Sequence, residues 1–244
     1  MLLRRFLSHV RSENWFAVFL DFAVVVVGLF IGLQLDTWWE AQRESRLEGE
    51  YLLEIKEDLE LNRSRLDDSI ARLEEILRSI QALHEAARLE TPDLPASELN
   101  EKFRAIGSMP SFVPVSRAYS NLTGSGDLRL IQSRPLKNAL ADYYAAAQLT
   151  MLIQGTHEME LVQIYEPYMI KNLDYAAVQT TRVDDFSLPP PIEESSILDV
   201  IGTREFRNVL TQKWVITTDL LRQHRGMLDR TQKILRLLEP IDGS

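Results

Sequence analysis

Three histidines are the side chains in this sequence best suited to hold a metal or to move a proton near neutral pH: His84, His157 and His224. Each falls in a long stretch of helical periodicity, so three helices could bring them to one point. No Glu-x-x-His or His-x-x-x-His pair occurs, so no helix is expected to supply two ligands from one face. Polar residues that set register in an apolar seam are the expected reading, and neither a metal nor a cofactor site is expected. Ser125 lies between two glycines but lacks the strand, turn and helix context of a nucleophile elbow. Gly124-x-Gly126 lacks the rest of a phosphate-binding loop, and a helix C-terminus explains it better. Tyr143, Tyr144, Tyr165 and Tyr168 could line a cleft between helices; core packing is the expected role. No catalytic residue is assigned, and the protein is not expected to be an enzyme.

Asp21 is a different case, because it stands inside an apolar stretch. From Trp15 to Leu35 only Asp21 and Gln34 are strongly polar, and those 21 residues match the roughly 20 needed to cross a bilayer as a helix. Trp15 lies at one end and Trp38 and Trp39 at the other. A separation of 23 residues from Trp15 to Trp38 corresponds to roughly 35 Å at about 1.5 Å per residue, the spacing of two interfacial aromatic belts. No small-x-small cleavage site follows the run, so an uncleaved anchor is expected rather than a signal peptide. Within it, Gly28 and Gly32 form a GxxxG pair, and Asp21 lies seven residues before Gly28 on the same face. Asp21, Gly28 and Gly32 are therefore a candidate intramembrane interface, with Trp15, Trp38 and Trp39 as interfacial anchors.

The flanks set an expected orientation. The N-terminal side carries Arg4, Arg5 and Arg11 against Glu13, whereas residues 36–60 carry Arg43, Arg46 and Lys56 against nine acids. By the positive-inside rule residues 1–14 are cytoplasmic, 15–36 form the transmembrane helix, and the rest lies outside, in the bacterial periplasm. A net charge of −9 argues against sequence-blind nucleic-acid binding, which needs a basic footprint. The absence of Cys excludes disulfide scaffolds and thiolate metal sites.

The elements that must position any site are helices. Residues 37–90 contain no Pro and carry a seam through Leu52, Ile55, Leu59, Asn62, Leu66, Ile70, Leu73, Leu77, Ile80, His84 and Ala87. The seam is heptad-like with one extra step of four at Leu66 to Ile70, a stutter that would locally unwind a supercoil. The helix either continues the membrane span or breaks near Gly49. Residues 91–244 are expected to form a bundle that packs with it. A short helix and an extended piece fill 96–115, with Pro110 and Pro114 as breakers. Ser116 is expected to cap a short helix ending at Gly124-Ser125-Gly126. Ser133 and Pro135 start a helix running to about Asn172, which Pro167 should kink or end early. A loop containing Pro189, Pro190 and Pro191 leads to a last helix from about Thr203 to Leu238. The fold class is thus all-α: one N-terminal transmembrane helix, then an extended helical bundle with a long coiled-coil-like helix.

Three patches carry a resemblance over most of the chain. The first is Asp21-Phe22-Ala23-Val24-Val25-Val26-Val27-Gly28-Leu29-Phe30-Ile31-Gly32-Leu33-Gln34-Leu35, followed by Trp38-x-Glu40. The second comprises Ala118-Tyr119, Leu122, Ser125-Gly126, Leu128, Leu130-Ile131, Leu136, Leu140 and Tyr143-Tyr144; the third is Phe206-Arg207-Asn208-Val209-Leu210. In these the chain resembles a family of uncharacterised bacterial single-span membrane proteins, known as a domain of unknown function. That family has an acid, an apolar run with a central Gly, then Ala-Leu-Gln and Asn-Trp-x-Glu. Here Gly32 stands where Ala is usual, and Asp36-Thr37 where Asn is usual. The resemblance implies an envelope location and a helical domain, and no activity.

The expected function is that of a membrane-anchored cell-envelope interaction or scaffold protein, assembling through its span and long helix. Its partners would be the lipid bilayer and a second copy or another membrane protein. The alternative is an extracytoplasmic helical-bundle ligand sensor that signals laterally to a membrane partner. A scaffold should expose an apolar patch, and a sensor should show a cleft between helices with convergent polar groups.

Overall fold

A computed structural model describes residues 15–178, 182–183, 186–193 and 195–239. The fold is all-α. The chain forms two units, residues 1–51 and 52–244. Helix α1, Trp15–Ala86, contributes to both, and Gly49 lies within it without ending it. In the first unit this helix carries the apolar run. Its stretch of four valines, Val24 to Val27, has modest helix propensity in water. In a bilayer the same stretch must be helical, because its backbone groups have no other partners.

The second unit starts at Leu52. From there α1 buries Leu52, Ile55, Leu59, Asn62, Leu66, Ser69, Leu73, Ile76, Ile80 and Leu83, and Ala87, one residue past its end, continues the seam. These positions advance by three and four in strict alternation, so the expected stutter is absent. The seam passes through Ser69, Ile76 and Leu83 rather than Ile70, Leu77 and His84, which are only half-buried. Hydrophobicity alone favours Ile70 over Ser69; the opposing helix reverses that choice, as shown below.

Helix α2, Ala96–Ile106, buries Leu99, Phe103 and Ile106, and an extended segment follows through residue 116. Helix α3 spans Arg117–Gly124, and a short 3-10 turn covers Asp127–Leu130. Between them Gly126 has φ 80°, the left-handed conformation that glycine adopts at no steric cost. Helix α4, Arg134–Glu160, starts as expected: Ser133 Oγ accepts from the Leu136 amide, and Pro135 sits in the first turn. The break expected at Pro167 takes a specific form. A π-turn over Leu161–Tyr165 precedes α5, Glu166–Asn172, so Pro167 sits in the first turn of a new helix. There its missing N–H costs nothing.

The described residues of the Pro-rich segment hold local structure beyond a plain loop. Tyr175–Ala177 form a 3-10 turn, and Arg182–Val183 (β1) pair antiparallel with Phe186–Ser187 (β2). The Asp174 carboxylate accepts from the amides of Ala176, Ile192 and Glu193, closing the segment on itself. Those bonds, the Glu193 one foremost, hold its carboxyl below the usual range. Helix α6 is Ser196–Val200 and α7 is Arg204–Leu238, the latter capped by Thr203 Oγ1 on the Phe206 amide. Helix α7 packs along α4, and α2 along α6. One apolar core joins α1 from Leu73 onward with α2, α5, α6 and α7, around Phe103 stacked on Phe206 at 5.4 Å.

Candidate functional site

In the first unit, the apolar run of α1 packs on nothing among the described residues. Among the described residues one helix is long and apolar enough to cross a membrane, and the apolar window within it is 0% buried. Phe19, Phe22, Val25 and Phe30 are each more than 60% exposed. Gly28 and Gly32 have no atom within 4 Å of where a Cβ would stand, and Asp21 is exposed. The three candidate interface residues therefore have no partner within the described residues of their own chain. Trp38 and Trp39 meet edge to face at 5.1 Å and are both exposed. Thr37 directs its hydroxyl back to the Leu33 carbonyl at 2.8 Å, satisfying the helix where the apolar run ends. Helix α1 begins at Trp15, whose side chain, like the N-terminal residues 1–14, lies outside the described residues.

In the second unit, the three histidines go to three different environments. His224 is fully buried on α7. Its Nδ1 faces Ser69 Oγ at 3.0 Å, and its Nε2 faces Gln154 Oε1 at 2.8 Å. His157 lies between Glu160 at 3.3 Å and Asp219 at 3.2 Å, and so ties α4 to α7. The His157–Glu160 pair shows that one helix does present an imidazole and a carboxylate three residues apart, in the reverse order to the motif sought in the sequence. His84 lines a cleft at the C-terminal end of α1. Among the described residues no three His, Asp or Glu side chains are placed to hold a metal ion.

His224 belongs to a network built around the extended segment between α2 and α3. Pro110 and Pro114 keep that segment out of a helix, and among the described residues no strand pairs with it. Its backbone groups are instead satisfied by side chains from three helices. Gln154 on α4 accepts from Phe112 N at 2.8 Å and donates to Phe112 O at 3.0 Å. Asn62 on α1 does the same for Val115, at 2.7 and 2.9 Å. Lys213 on α7 donates to Ser108 O at 2.9 Å. The buried Asp58 carboxylate accepts from Ala118 N at 3.0 Å and from Arg117 at 2.9 Å. Asp58 thus caps α3 from another helix, a role expected for Ser116, whose side chain makes no capping bond. A carboxylate is the stronger cap because it also meets the positive end of the helix.

The network also fixes a tautomer. Phe112 needs an acceptor for its N–H and a donor for its C=O, which orients the Gln154 amide. Gln154 Oε1 can only accept, so His224 carries its proton on Nε2 and its Nδ1 accepts from Ser69. Burial pushes the imidazole down to about 4. The unfolded chain takes up this proton near 6.5, so the contribution is whole above that value and is lost as pH falls toward about 4. The expected result is a His224 titration midpoint near 4 by NMR. A midpoint near the ordinary imidazole value would mean that water reaches the ring.

The tyrosines are core residues. Tyr143, Tyr144, Tyr165 and Tyr168 are buried, and Tyr119 stacks on Tyr144 at 4.2 Å. Tyr165 donates its hydroxyl to Val209 O at 2.6 Å, and Lys213 Nζ stands 5.5 Å from its ring centroid. Burial pushes the Tyr143 hydroxyl up to about 12. Ser125 is exposed and turns its hydroxyl to the Leu122 carbonyl, as a helix C-terminal residue does.

Sequence reasoning missed Asp58, Ser69 and Lys213. A weak signal existed on α7, where Leu210, Thr217, His224, Thr231 and Leu238 recur every seven residues and are all buried. Three polar residues at the deepest seam position announce a polar core, though not its partners. No protein-family model matches the chain, and no curated protein or solved structure is significantly similar to it.

Proposed function

We propose that this is a membrane-anchored, non-enzymatic interaction protein of the bacterial cell envelope, which assembles with copies of itself through its span. The apolar window of α1, 0% buried, carries this reading. A monomeric soluble protein rarely leaves so large an apolar surface in water. The span faces the bilayer with its aromatic residues at both ends, the N-terminus is cytoplasmic, and the bundle is periplasmic by the charge asymmetry of the flanks. The resemblance of its Asp21-to-Glu40 stretch supports the same location. Gly28 and Gly32 leave room for a second backbone at close approach, and Asp21 shares their face.

The bundle adds support for an interaction role. On α4, Leu149, Leu152 and Met159 are 56%, 70% and 59% exposed, and steps of three and seven keep them on one face. Such a stripe is what an interaction domain displays.

The test is crosslinking of the intact protein in native membranes, with mass spectrometry, beside Gly28→Leu/Gly32→Leu and Asp21→Asn. Wild type should give a defined oligomer that the glycine variant loses. A wild-type protein that stays monomeric in the membrane would refute assembly through the span.

A further inference from the structure

The cleft that holds His84 is a place where an aromatic side chain, hydrogen-bonding groups and cationic charge converge. It lies between the last turns of α1 and the beginning of α7, and is lined by Gln81, His84, Glu85, Arg88, Thr211 and Trp214. Its volume of about 340 Å³ is at the lower end of small-molecule sites, which run from about 300 to about 1,000 Å³. All its walls come from the second unit. Trp214 is half-buried, with the rest of the side chain against the core, so the ring is held as a fixed wall.

The charge at this cleft has a definite sign. Arg88 is exposed and, among the described residues, its guanidinium takes part in no ion pair. Arg207, one turn before Thr211 on α7, stands close enough to His84 to act on its charge. After burial, Arg88 and then Arg207 are what hold the His84 imidazole below its ordinary value. His84 is therefore neutral at physiological pH. On the lining Arg88 and Glu85 balance, and Arg207, acting on His84 from beside the cleft, tips the charge around the imidazole positive. A cationic ligand would be drawn to the face of Trp214 but repelled by both arginines. An anion is opposed on the lining by Glu85 but drawn by both arginines, and a guanidinium fork suits a carboxylate in particular.

We propose that the cleft between α1 and α7 binds a small carboxylate bearing a flat aromatic group, with the ring on Trp214 and the carboxylate on Arg88. Gln81 and the neutral His84 supply further hydrogen bonds beside the charge. This site goes beyond the anchoring role and does not depend on it, since every residue that forms it belongs to the bundle.

The test uses the full chain in detergent micelles, labelled with 5-fluorotryptophan, and follows the fluorine resonance assigned to Trp214 with a Trp214→Phe sample. Benzoate, benzyl alcohol and benzylamine are the probes. Benzoate should shift the Trp214 resonance saturably and leave the other tryptophans unmoved, while benzylamine should not shift it. In Arg88→Gln the benzoate midpoint should rise about tenfold or more, the loss expected when a charge-assisted contact is removed. The remaining tryptophan signals report that the variant is folded. The proposal is overturned if benzoate gives no saturable shift up to its solubility limit. It is equally overturned if all three probes act alike, or if Arg88→Gln leaves the midpoint unchanged.

Discussion

Replacing Gln154 with leucine should destabilise the bundle by about 4 kcal/mol, a large part of the 5–15 kcal/mol that holds a typical domain together. The residue is 5% exposed and serves three groups at once: the N–H and C=O of Phe112 and the Nε2–H of His224. Leucine matches its volume but leaves all three without partners. Each buried group stripped of its bond costs about 1–3 kcal/mol, and some relief from entering water is included in the total. The loss should also spread. Phe112 is 1% exposed and meets the His224 ring at 6.1 Å, so releasing its backbone loosens the contact between the extended segment and α7. The measurement is urea unfolding of the full chain in micelles, with Gln148→Leu on the exposed side of the same helix as the control. The control should change stability by less than about 0.5 kcal/mol. If Gln154→Leu behaves like the control, the side-chain network is not what orders the segment.

Lys213→Met should act in the opposite direction and stabilise the protein at neutral pH by about 3–4 kcal/mol. Lys213 is 1% exposed, and burial alone brings its ammonium down to about 7. Among the described residues no carboxylate pairs with it: the amine donates to the Ser108 carbonyl and stands over the Tyr165 ring. In the unfolded chain the same amine holds its proton up to about 10.5. Between about 7 and 10.5 the unfolded state therefore binds more protons, and stability must rise with pH by about 1.4 kcal/mol per unit from this residue. Below about 7 both states are protonated and the penalty is at its full size. Methionine keeps most of the volume and removes the charge. It loses one hydrogen bond, to the carbonyl of Ser108, an exposed residue. Denaturation curves for both proteins at pH 7 and pH 10 should converge at the higher pH. Parallel curves, separated equally at both values, would mean that Lys213 is solvated in the folded state.

A buried lysine that opposes folding calls for a reason to be kept, and its place supplies one. Asn62, Gln154 and Lys213 each reach the segment between α2 and α3 from a different helix, and Asp58 holds the start of α3 that follows it. An apolar core would fill the same space without specifying where that segment lies. Polar groups that must be satisfied permit one register, and the energetic cost is the usual one for such specificity.

What was legible in the sequence is what depends on neighbours along the chain. The apolar run from Trp15 to Leu35 is readable because its length and composition are properties of one segment. The starts of α4 and α7 are readable because Ser133 and Thr203 cap amides three residues away. The all-α fold and the core role of Tyr143 and Tyr165 follow from the same periodicity. Only the tertiary structure decided the rest. Ser69 displaces Ile70 from the buried seam because the Nδ1 of His224, 155 residues distant, needs a hydrogen-bond donor. Asp58 displaces Ser116 as the cap of α3 across a separation of 60 residues. The cleft exists because the end of α1 meets the start of α7, which brings His84 beside Trp214. A polar residue's worth in a core is set by the group it faces, and that group is chosen by packing between distant segments, whose pairing no local pattern records.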